Sequence, residues 1–209
     1  MKCLFKKIFC IEGNIGAGKS TLLELLEKKV PYCKVIQEPV AEWKNIGGYD
    51  LLTAFYEDPQ RWCFTFELYS MFTIIKKIQD ALLDDAEIIL VERSIFSNRA
   101  FQFISYSLDK LDTKEMTILK EIFTFFKADY PQLNGVIYLD VDVEMCLQRI
   151  TKRGRKEEKG INYIYLRKLE EQFKAIKYNC PVKVIDGNYD LKKPDSVIDE
   201  ILKFIYTDN

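Results

Sequence analysis

A glycine-rich segment between an apolar run and an amphipathic run most constrains what this chain can fold into. Residues 13–20 read Gly-Asn-Ile-Gly-Ala-Gly-Lys-Ser and match the pattern G-x-x-x-x-G-K-[ST] at every specified position. The apolar residues 7–12 predict a buried strand before the segment, and residues 19–29 predict a helix after it. In that context the backbone N–H groups of the turn and the N-terminal end of the helix form a site for phosphate oxygens.

This segment indicates which residues hold a nucleoside triphosphate. The Lys19 amine would reach the β- and γ-phosphates, and the Ser20 hydroxyl would bind Mg²⁺. The residues predicted to bind the nucleotide here are Gly13, Asn14, Ile15, Gly16, Ala17, Gly18, Lys19, Ser20 and Thr21. A guanine-reading segment of the N-K-x-D type is absent from the sequence, and 209 residues are few for a motor or a helicase. We therefore expect a phosphotransferase with a small acceptor.

Short apolar runs alternate with amphipathic stretches along the rest of the chain. Strands are predicted at residues 34–37, 88–91, 136–139 and 182–185, in addition to 7–12. Helices are predicted at residues 49–55, 59–83, 94–106, 113–127, 143–151, 163–177 and 196–204, besides the one at 19–29. This order is typical of an α/β fold with a parallel sheet flanked by helices. Because the sequence has no internal repeat and no linker rich in Pro or Gly, one domain over residues 1–209 is the simplest organisation.

The composition excludes several classes of function. Lysine and arginine total 31 against 32 acidic residues, so no whole-protein field favours nucleic acid or a membrane as partner. The chain has no histidine, which leaves acid–base chemistry to carboxylates, lysine or tyrosine and excludes histidine-ligated metals. Its six cysteines are scattered with no CxxC pair, and this spacing fits neither a zinc site nor a disulfide framework. Such a pattern suits a reducing compartment. The apolar run at residues 8–11 is too short for a signal peptide or a membrane span, so we expect a cytoplasmic protein.

Two acidic residues follow predicted strands: Glu38 follows the second strand and Glu92 the third. The carboxyl ends of parallel strands meet at one edge of a sheet, where ligands bind in this class of fold. Either carboxylate could orient and deprotonate a hydroxyl acceptor, or hold water around Mg²⁺. The alternative for each is an ordinary neighbour of a helix cap or a solvated charge. Convergence of both beside the phosphate loop favours the functional interpretation.

A charged segment at about residues 152–160, which we call the lid, contains Arg153 and Arg155 with Gly154 as a pivot. Transfer of a phosphoryl group needs cations around its equatorial oxygens, and a mobile segment supplies them while it excludes water. A solvated loop with local ion pairs is the alternative. Arg93, directly after Glu92, is a further candidate cation.

Taken together, these motifs resemble the deoxynucleoside kinase family, which contains deoxycytidine, deoxyguanosine, mitochondrial thymidine and insect multisubstrate kinases. The resemblance extends from residue 8 to about residue 190. It includes the segment at residues 12–20, Glu38-Pro-Val, Trp43, Glu92-Arg-Ser and the Arg-Gly-Arg-Lys-Glu-Glu run that begins at Arg153, all in family order. It implies a five-stranded parallel sheet, ATP- and Mg²⁺-dependent phosphorylation of the 5′-hydroxyl of a deoxynucleoside, and a homodimer.

The resemblance also implies a role for individual residues. Glu38 would take the proton of the 5′-hydroxyl, Arg93 would hold the reacting groups beside it, and Glu92 would act at the Mg²⁺ and the 5′ end. Further contacts would come from Arg149, Arg153 and Arg155 to the phosphates, from Tyr56 and Glu158 to the sugar 3′-hydroxyl, and from Trp43 and Phe66 to the base. Ordinary core packing is the alternative for the last two.

The chain departs from the family pattern where the base is recognised. Glu67 stands where a glutamine usually pairs with the base edge, and an ionised carboxylate only accepts hydrogen bonds, which suits the adjacent donors of guanine. Apolar surroundings could instead keep Glu67 protonated. Ile74 and Asn98, with Ser70 nearby, stand where purine-accepting members often have an arginine and an aspartate. Gln102 replaces an aromatic residue that usually covers the base, and it could take over the pairing, so the base preference stays open.

Two rival functions compete with this interpretation. Thymidylate kinase normally has an arginine beside a Pro-Gly pair after the second strand, whereas residues 38–43 read Glu-Pro-Val-Ala-Glu-Trp, in which Glu42 would repel a phosphate. A non-catalytic accessory subunit with a kinase-like fold should have lost the phosphate lysine, the general base or the lid arginines. Lys19, Glu38 and Arg93 are present, and so are both lid arginines.

Overall fold

Five parallel strands form the centre of the fold. The computed structural model describes residues 6–188 and 195–207, and within them the sheet has the strand order β2-β3-β1-β4-β5. The strands are β1 (Lys7–Gly13), β2 (Cys33–Ile36), β3 (Ile88–Glu92), β4 (Gly135–Asp140) and β5 (Val182–Asp186). Each strand lies within one residue of its predicted position at either end, so the predicted α/β fold with a five-stranded parallel sheet is confirmed.

Helices cover both faces of this sheet. They are α1 (Lys19–Glu27), α2 (Val40–Trp43), α3 (Leu51–Glu57), α4 (Pro59–Leu82), α5 (Ile95–Ser107), α6 (Thr113–Ala128), α7 (Val143–Arg153), α8 (Tyr163–Ala175) and α9 (Asp195–Tyr206), with a 3₁₀ helix at Lys156–Gly160. Every predicted helix matches one of these to within two residues at each end. The sequence prediction omits α2 and the 3₁₀ helix, because four or five residues are too few to show a helical period.

Local polar side chains set where two of the helices begin. The Asp50 carboxylate accepts a hydrogen bond from the Thr53 N–H at 2.8 Å, so α3 begins two residues after its predicted start. The Asp58 carboxylate caps α4 in the same way and accepts from the Arg61 N–H at 3.2 Å. Pro59 occupies the first turn of α4, where a missing N–H costs nothing. These caps fix the two helices that carry many of the candidate site residues.

Both faces of the sheet are buried, which explains why its central strand is so apolar. In β1, Phe9 and Ile11 pack into one apolar cluster, which also contains residues of α1 and α9. Ile8 and Cys10 pack into a second cluster, which contains residues of α4. Side chains alternate along a strand, so a strand that is covered on both faces has a continuous apolar run.

The parallel arrangement places the ends of three strands together. β1 pairs with β3 on one side and with β4 on the other, and β2 pairs with the far side of β3. The phosphate loop after β1, Glu38 after β2 and Glu92 at the end of β3 therefore lie at the same edge of the sheet.

In the part that the structure describes, no helix has both the length and the apolar character needed to cross a bilayer. A single domain over residues 1–209 stays a prediction, and residues 1–5, 189–194 and 208–209 of it lie outside the described residues.

Candidate active site

A cavity of about 590 Å³ opens at this edge of the sheet. Every residue assigned to a site from the sequence lines it, except Gly13, Asn14, Ala17 and Gln102. Its wall combines the phosphate loop, the ends of β2 and β3, helices α1 to α5, α7 and α8, and part of the lid. The fold thus brings into one place side chains that are far apart in the sequence.

Glycines give the phosphate loop its shape. Gly16 has a φ of 78° and Gly18 a φ of 98°, in the left-handed region that other residues rarely adopt. A Cβ atom on Gly16 would lie 2.5 Å from the Cys146 carbonyl oxygen, because α7 packs directly on the loop backbone. Gly18 is the N-cap of α1 and has no side chain to cap the helix, which leaves its first N–H groups available to phosphate oxygens.

Two long-range contacts hold the loop in place. Asn14 is buried and donates from Nδ2 to the Leu166 carbonyl oxygen on α8 at 2.9 Å. Arg149 on α7 donates to the Ala17 carbonyl oxygen at 2.9 Å and to the Gly187 carbonyl oxygen at 3.0 Å. Asn14 therefore stabilises the loop through a contact with α8, and it does not line the cavity. Arg149, which the resemblance assigns to the phosphates, lines the cavity and also fastens the loop.

Lys19, Ser20 and Glu92 form a polar cluster at the phosphate loop. The Ser20 hydroxyl lies 3.0 Å from each oxygen of the Glu92 carboxylate, and Lys19 Nζ lies 4.0 Å from Glu92 Oε1. Burial, and then the charge of Arg93, lower the pKa of Lys19 to about 8. Burial, and then the charge of Glu38, raise the pKa of Glu92. A hydroxyl beside a carboxylate fits Mg²⁺, which takes few protein ligands and completes its shell with water and substrate phosphates.

Glu38 and Arg93 face each other in the cavity wall. Arg93 Nε lies 3.0 Å from Glu38 Oε1, and the contact is an ion pair because the N–H is not aligned for a hydrogen bond. Arg93 has a φ of 64° and donates from Nη1 to the Gly13 carbonyl oxygen at 3.0 Å. Its guanidinium carbon lies 4.9 Å from the ring centroid of Phe101 and 5.0 Å from that of Phe173. Burial opposes the charge, but the surrounding carboxylates, Glu38 first, outweigh it and raise the pKa of Arg93.

Glu12, which the sequence patterns do not mark as a site residue, holds the turn that carries Glu92 and Arg93. Its fully buried carboxylate accepts from the Ser94 N–H at 3.0 Å, from the Ser94 hydroxyl at 2.7 Å and from the Ser97 hydroxyl. These donors belong to the start of α5, immediately after Arg93. The sequence signal for this role is a carboxylate within the apolar β1, because a buried charge must find partners.

Aromatic rings from α2, α3 and α4 wall another part of the cavity. The centroids of Trp43 and Phe66 lie 5.3 Å apart with the rings nearly perpendicular, and Phe55 stacks on Phe66 at 4.7 Å. Trp43 Nε1 donates to Thr73 Oγ1 at 2.9 Å, which fixes the indole ring. Flat apolar walls of this kind suit a planar heterocycle. Phe55 and Tyr165 also line the cavity. Their positions in the sequence do not predict this, because an aromatic residue in a helix usually indicates core packing.

The lid contacts α3 and closes one side of the cavity. Arg153 donates to the Glu158 carboxylate from Nη2 at 2.6 Å and from Nε at 3.2 Å, and Arg155 Nη1 lies 3.5 Å from Glu158 Oε1. Glu157 forms an ion pair with Lys44, the residue that follows α2. The lid arginines therefore form the local ion pairs considered above and also line the cavity.

Glu67, Ser70 and Ile74 line the cavity from one face of α4, opposite Asn98 of α5. The Ser70 hydroxyl donates to the Glu67 carbonyl oxygen at 3.0 Å, and Asn98 Nδ2 donates to Ser70 Oγ at 2.9 Å. Burial raises the pKa of Glu67 to about 8, although the charge of Lys110 opposes the rise. These are the polar groups that could read the edge of a base.

Two residues occupy positions that differ from the sequence hypotheses. Gln102 does not line the cavity: it is fully buried, and its Oε1 accepts a hydrogen bond from Arg99 Nη1, one turn earlier on α5, at 2.9 Å. Phe101 lines the cavity in its place. Glu42 also lies outside this cavity wall and forms an ion pair with Lys77 at 2.6 Å, so its charge gives no argument against a phosphorylated substrate.

The strand order, with the phosphate loop after its central strand and a lid after α7, defines a P-loop kinase fold. A family profile described as "Deoxynucleoside kinase" matches residues 9–207. Deoxycytidine kinase from Bos taurus is 36% identical over 97% of this chain and 92% of its own length. A probable deoxycytidine kinase of fowlpox virus is 32% identical, over 96% of this chain and 88% of its own. A mitochondrial deoxyguanosine kinase from Xenopus laevis is 31% identical, over 93% and 86%. The chain therefore belongs to the deoxynucleoside kinase family and is an enzyme.

Proposed function

We propose that this chain transfers the γ-phosphoryl group of ATP to the 5′-hydroxyl of a deoxynucleoside, with Mg²⁺, and so serves nucleotide salvage. One observation carries the proposal. The Glu38 carboxylate lies 3.0 Å from the fixed Arg93 guanidinium, in the same cavity that the phosphate loop lines. Phosphoryl transfer depends on positioning and on electrostatic stabilisation, and this cavity supplies a base, cations and a phosphate site together.

The reaction assigns each of these groups a task. The 5′-oxygen attacks the γ-phosphorus while Glu38 accepts its proton, and ADP departs with the electron pair of the broken P–O bond. Arg93 holds the Glu38 carboxylate in place and offsets negative charge on the transferring oxygens. The Lys19 amine, with its pKa near 8, gains its full positive charge when phosphates bind beside it. Ser20 and Glu92 would hold Mg²⁺, which supplies further neutralisation of phosphate charge.

We assign recognition of the sugar 3′-hydroxyl to Tyr56, Glu158 and the lid. Tyr56 and Glu158 both line the cavity, and burial, followed by the charge of Glu158, raises the pKa of the Tyr56 hydroxyl. The hydroxyl therefore stays a hydrogen-bond donor at any physiological pH. Arg153 orients Glu158 through two hydrogen bonds, so closure of the lid and recognition of the 3′-hydroxyl would occur together.

A substrate panel tests the proposed reaction. Steady-state kinetics would be measured with ATP and Mg²⁺ on the four deoxynucleosides and on thymidine monophosphate. We expect 5′-monophosphates from one or more deoxynucleosides and no product from the monophosphate. Phosphorylation of the monophosphate alone would identify a thymidylate kinase. ATP binding with no phosphorylated product would indicate an accessory subunit.

The role of Glu38 has a matched control in the same segment. Glu38→Gln keeps the shape of the side chain and removes the base, so kcat should fall by about 10²–10⁴-fold while ATP binding persists. Glu42→Gln removes a charge four residues away that lies outside the cavity wall, and it should leave kcat near the wild-type value. Near-normal turnover in Glu38→Gln would remove this residue from the proposed role.

We also propose that the enzyme acts in the cytoplasm as a homodimer. Exposed apolar side chains on the packed pair α4 and α6, namely Phe72, Ile118 and Phe125, support burial against a second copy. The cysteines of the described residues are all free thiols, as expected in a reducing compartment. Light scattering at micromolar concentration should give about twice the chain mass of 24.6 kDa, and a monomer at every concentration would contradict the dimer.

A further inference from the structure

The Glu67 carboxyl group lies in the cavity wall, and no residue that the structure describes donates a hydrogen bond to it. The residue is 3% exposed and lines the cavity from α4. Within residues 6–188 and 195–207, Lys110 and Arg99 act on this group through space, and no hydrogen bond reaches it. A buried carboxylate without donors is costly, and keeping its proton removes most of that cost.

The hydrogen bonds beside Glu67 fix the orientation of the Asn98 amide. The Ser70 hydroxyl has a single hydrogen, which it donates to the Glu67 carbonyl oxygen at 3.0 Å, so its oxygen can only accept from Asn98. Asn98 therefore turns Nδ2 toward Ser70, at 2.9 Å, and its Oδ1 is left buried with no partner among the described residues. A ligand that brings a donor would satisfy this acceptor.

We propose that Glu67 reads the base as a neutral carboxylic acid and that, with Asn98, it selects bases whose Watson–Crick edge has an amino group next to an unprotonated ring nitrogen. This inference rests on the proposed function and names its substrate class. The Glu67 O–H donates to the ring nitrogen, its carbonyl oxygen accepts one amino hydrogen, and Asn98 Oδ1 accepts the other. Deoxycytidine presents this edge at N3 and the 4-amino group, and deoxyadenosine presents it at N1 and the 6-amino group.

Asn98 supplies the discrimination that a carboxylic acid lacks. A neutral carboxyl group has one donor and one acceptor, so by turning over it could also pair with thymine or guanine. Either base would then place a carbonyl oxygen opposite Asn98 Oδ1, which has no hydrogen to donate. Cytosine and adenine, which place an amino group opposite Asn98 Oδ1, are therefore the bases that satisfy both side chains.

The charges around Glu67 make the selection depend on pH. Burial raises the pKa of Glu67 to about 8 against the opposing charges of Lys110 and Arg99. The titratable groups that face it are Cys63 from α4, Arg99 from α5, Lys110 from the α5–α6 connection and Tyr165 from α8. Burial raises the pKa of both Cys63 and Tyr165, so neither loses a proton where Glu67 does. Above pH 8 Glu67 only accepts, and the adjacent N1–H and 2-amino donors of guanine then become the better match.

The test compares ratios of specificity constants for the wild-type enzyme. kcat/KM is measured for the four deoxynucleosides at pH 6.5 and 9.0 and divided by the value for deoxyguanosine. With a pKa near 8 the neutral fraction of Glu67 falls about tenfold over this range. The ratio for deoxycytidine or deoxyadenosine, whichever is preferred, should therefore fall about tenfold or more. Lys19, whose pKa is also about 8, affects every nucleoside alike and cancels in the ratio.

Three variants separate the contributions. Glu67→Gln keeps one donor and one acceptor at both pH values, so its ratio should be independent of pH. Glu144→Gln, at an exposed position of α7, is the matched control and should reproduce the wild-type pH dependence. Asn98→Leu removes the acceptor and should abolish the preference for deoxycytidine over thymidine at pH 6.5.

The possible results separate failure of the base-reading inference from failure of the proposed kinase activity. A wild-type ratio that is equal at pH 6.5 and 9.0, or that favours deoxyguanosine at pH 6.5, overturns the inference and leaves the proposed kinase activity intact. Failure to phosphorylate any deoxynucleoside overturns the proposed function and the inference with it. The comparison of the two pH values uses the wild-type enzyme, so it stands even where a variant does not fold.

Discussion

Replacing Glu67 with glutamine should change how the stability of this protein depends on pH. Burial raises the pKa of Glu67 to about 8 in the folded protein, whereas an unperturbed glutamate in the unfolded chain titrates at 4.5. As the pH rises, the unfolded chain therefore loses this proton first, and the loss stabilises the unfolded state. The contribution of Glu67 to the free energy of unfolding is complete below pH 4.5 and is lost as the pH rises to 8.

The magnitude follows from these two pKa values. Each pH unit between them removes about 1.4 kcal/mol from the free energy of unfolding, so about 3 kcal/mol is lost between pH 5.0 and 7.5. Glutamine has nearly the same shape and no proton to lose. The stability of Glu67→Gln relative to wild type should therefore rise by about 3 kcal/mol over this range. For a chain of this length the difference corresponds to about 6–12 °C in Tm.

Urea unfolding followed by circular dichroism at pH 5.0 and 7.5 measures both free energies. Groups other than Glu67 titrate alike in the two proteins and cancel in the difference. Glu144→Gln, which removes an exposed carboxylate, is the control and should follow the wild type at both pH values. A constant difference between wild type and Glu67→Gln would show that Glu67 is ionised in the folded protein and would refute the reasoning.

Three further substitutions test other parts of the site. Gly16→Ala places a Cβ 2.5 Å from the Cys146 carbonyl oxygen, so calorimetry should show about tenfold weaker binding of a non-hydrolysable ATP analogue. An unchanged Kd would contradict the loop geometry. Glu12→Gln turns amide hydrogens toward serine hydroxyls. It should lower the free energy of unfolding, measured with urea, by about 2–3 kcal/mol, and it should also lower kcat. A stable, fully active variant would contradict the positioning role of Glu12. Arg153→Met releases Glu158 and should raise the KM for the nucleoside about tenfold. The Tm should hardly change because a partly exposed pair adds little stability, and an unchanged KM would argue against recognition of the sugar through the lid.

The sequence by itself determined the fold and predicted where the candidate site lies, because the interactions that set both are local or repeat along the chain. Apolar runs covered on both faces mark the strands, and a 3.6-residue period marks the helices. The spacing of glycines within one turn marks the phosphate loop. Parallel strands share an edge, so the nearness of Glu38 and Glu92 to that loop follows from the predicted sheet.

Only the tertiary structure decided which partners the buried polar groups take. Asn14 donates a hydrogen bond to α8, and Glu12 accepts hydrogen bonds from the start of α5. Gln102 turns away from the cavity and accepts a hydrogen bond from Arg99. A single rotation about a side-chain bond decides between such partners, and it depends on how closely two helices pack, which no local pattern records. The sequence shows that a carboxyl group replaces an amide at Glu67. Whether that group keeps its proton depends on the depth at which α4 and α5 bury it and on the positions of the nearest cations, so the packing decides its chemistry.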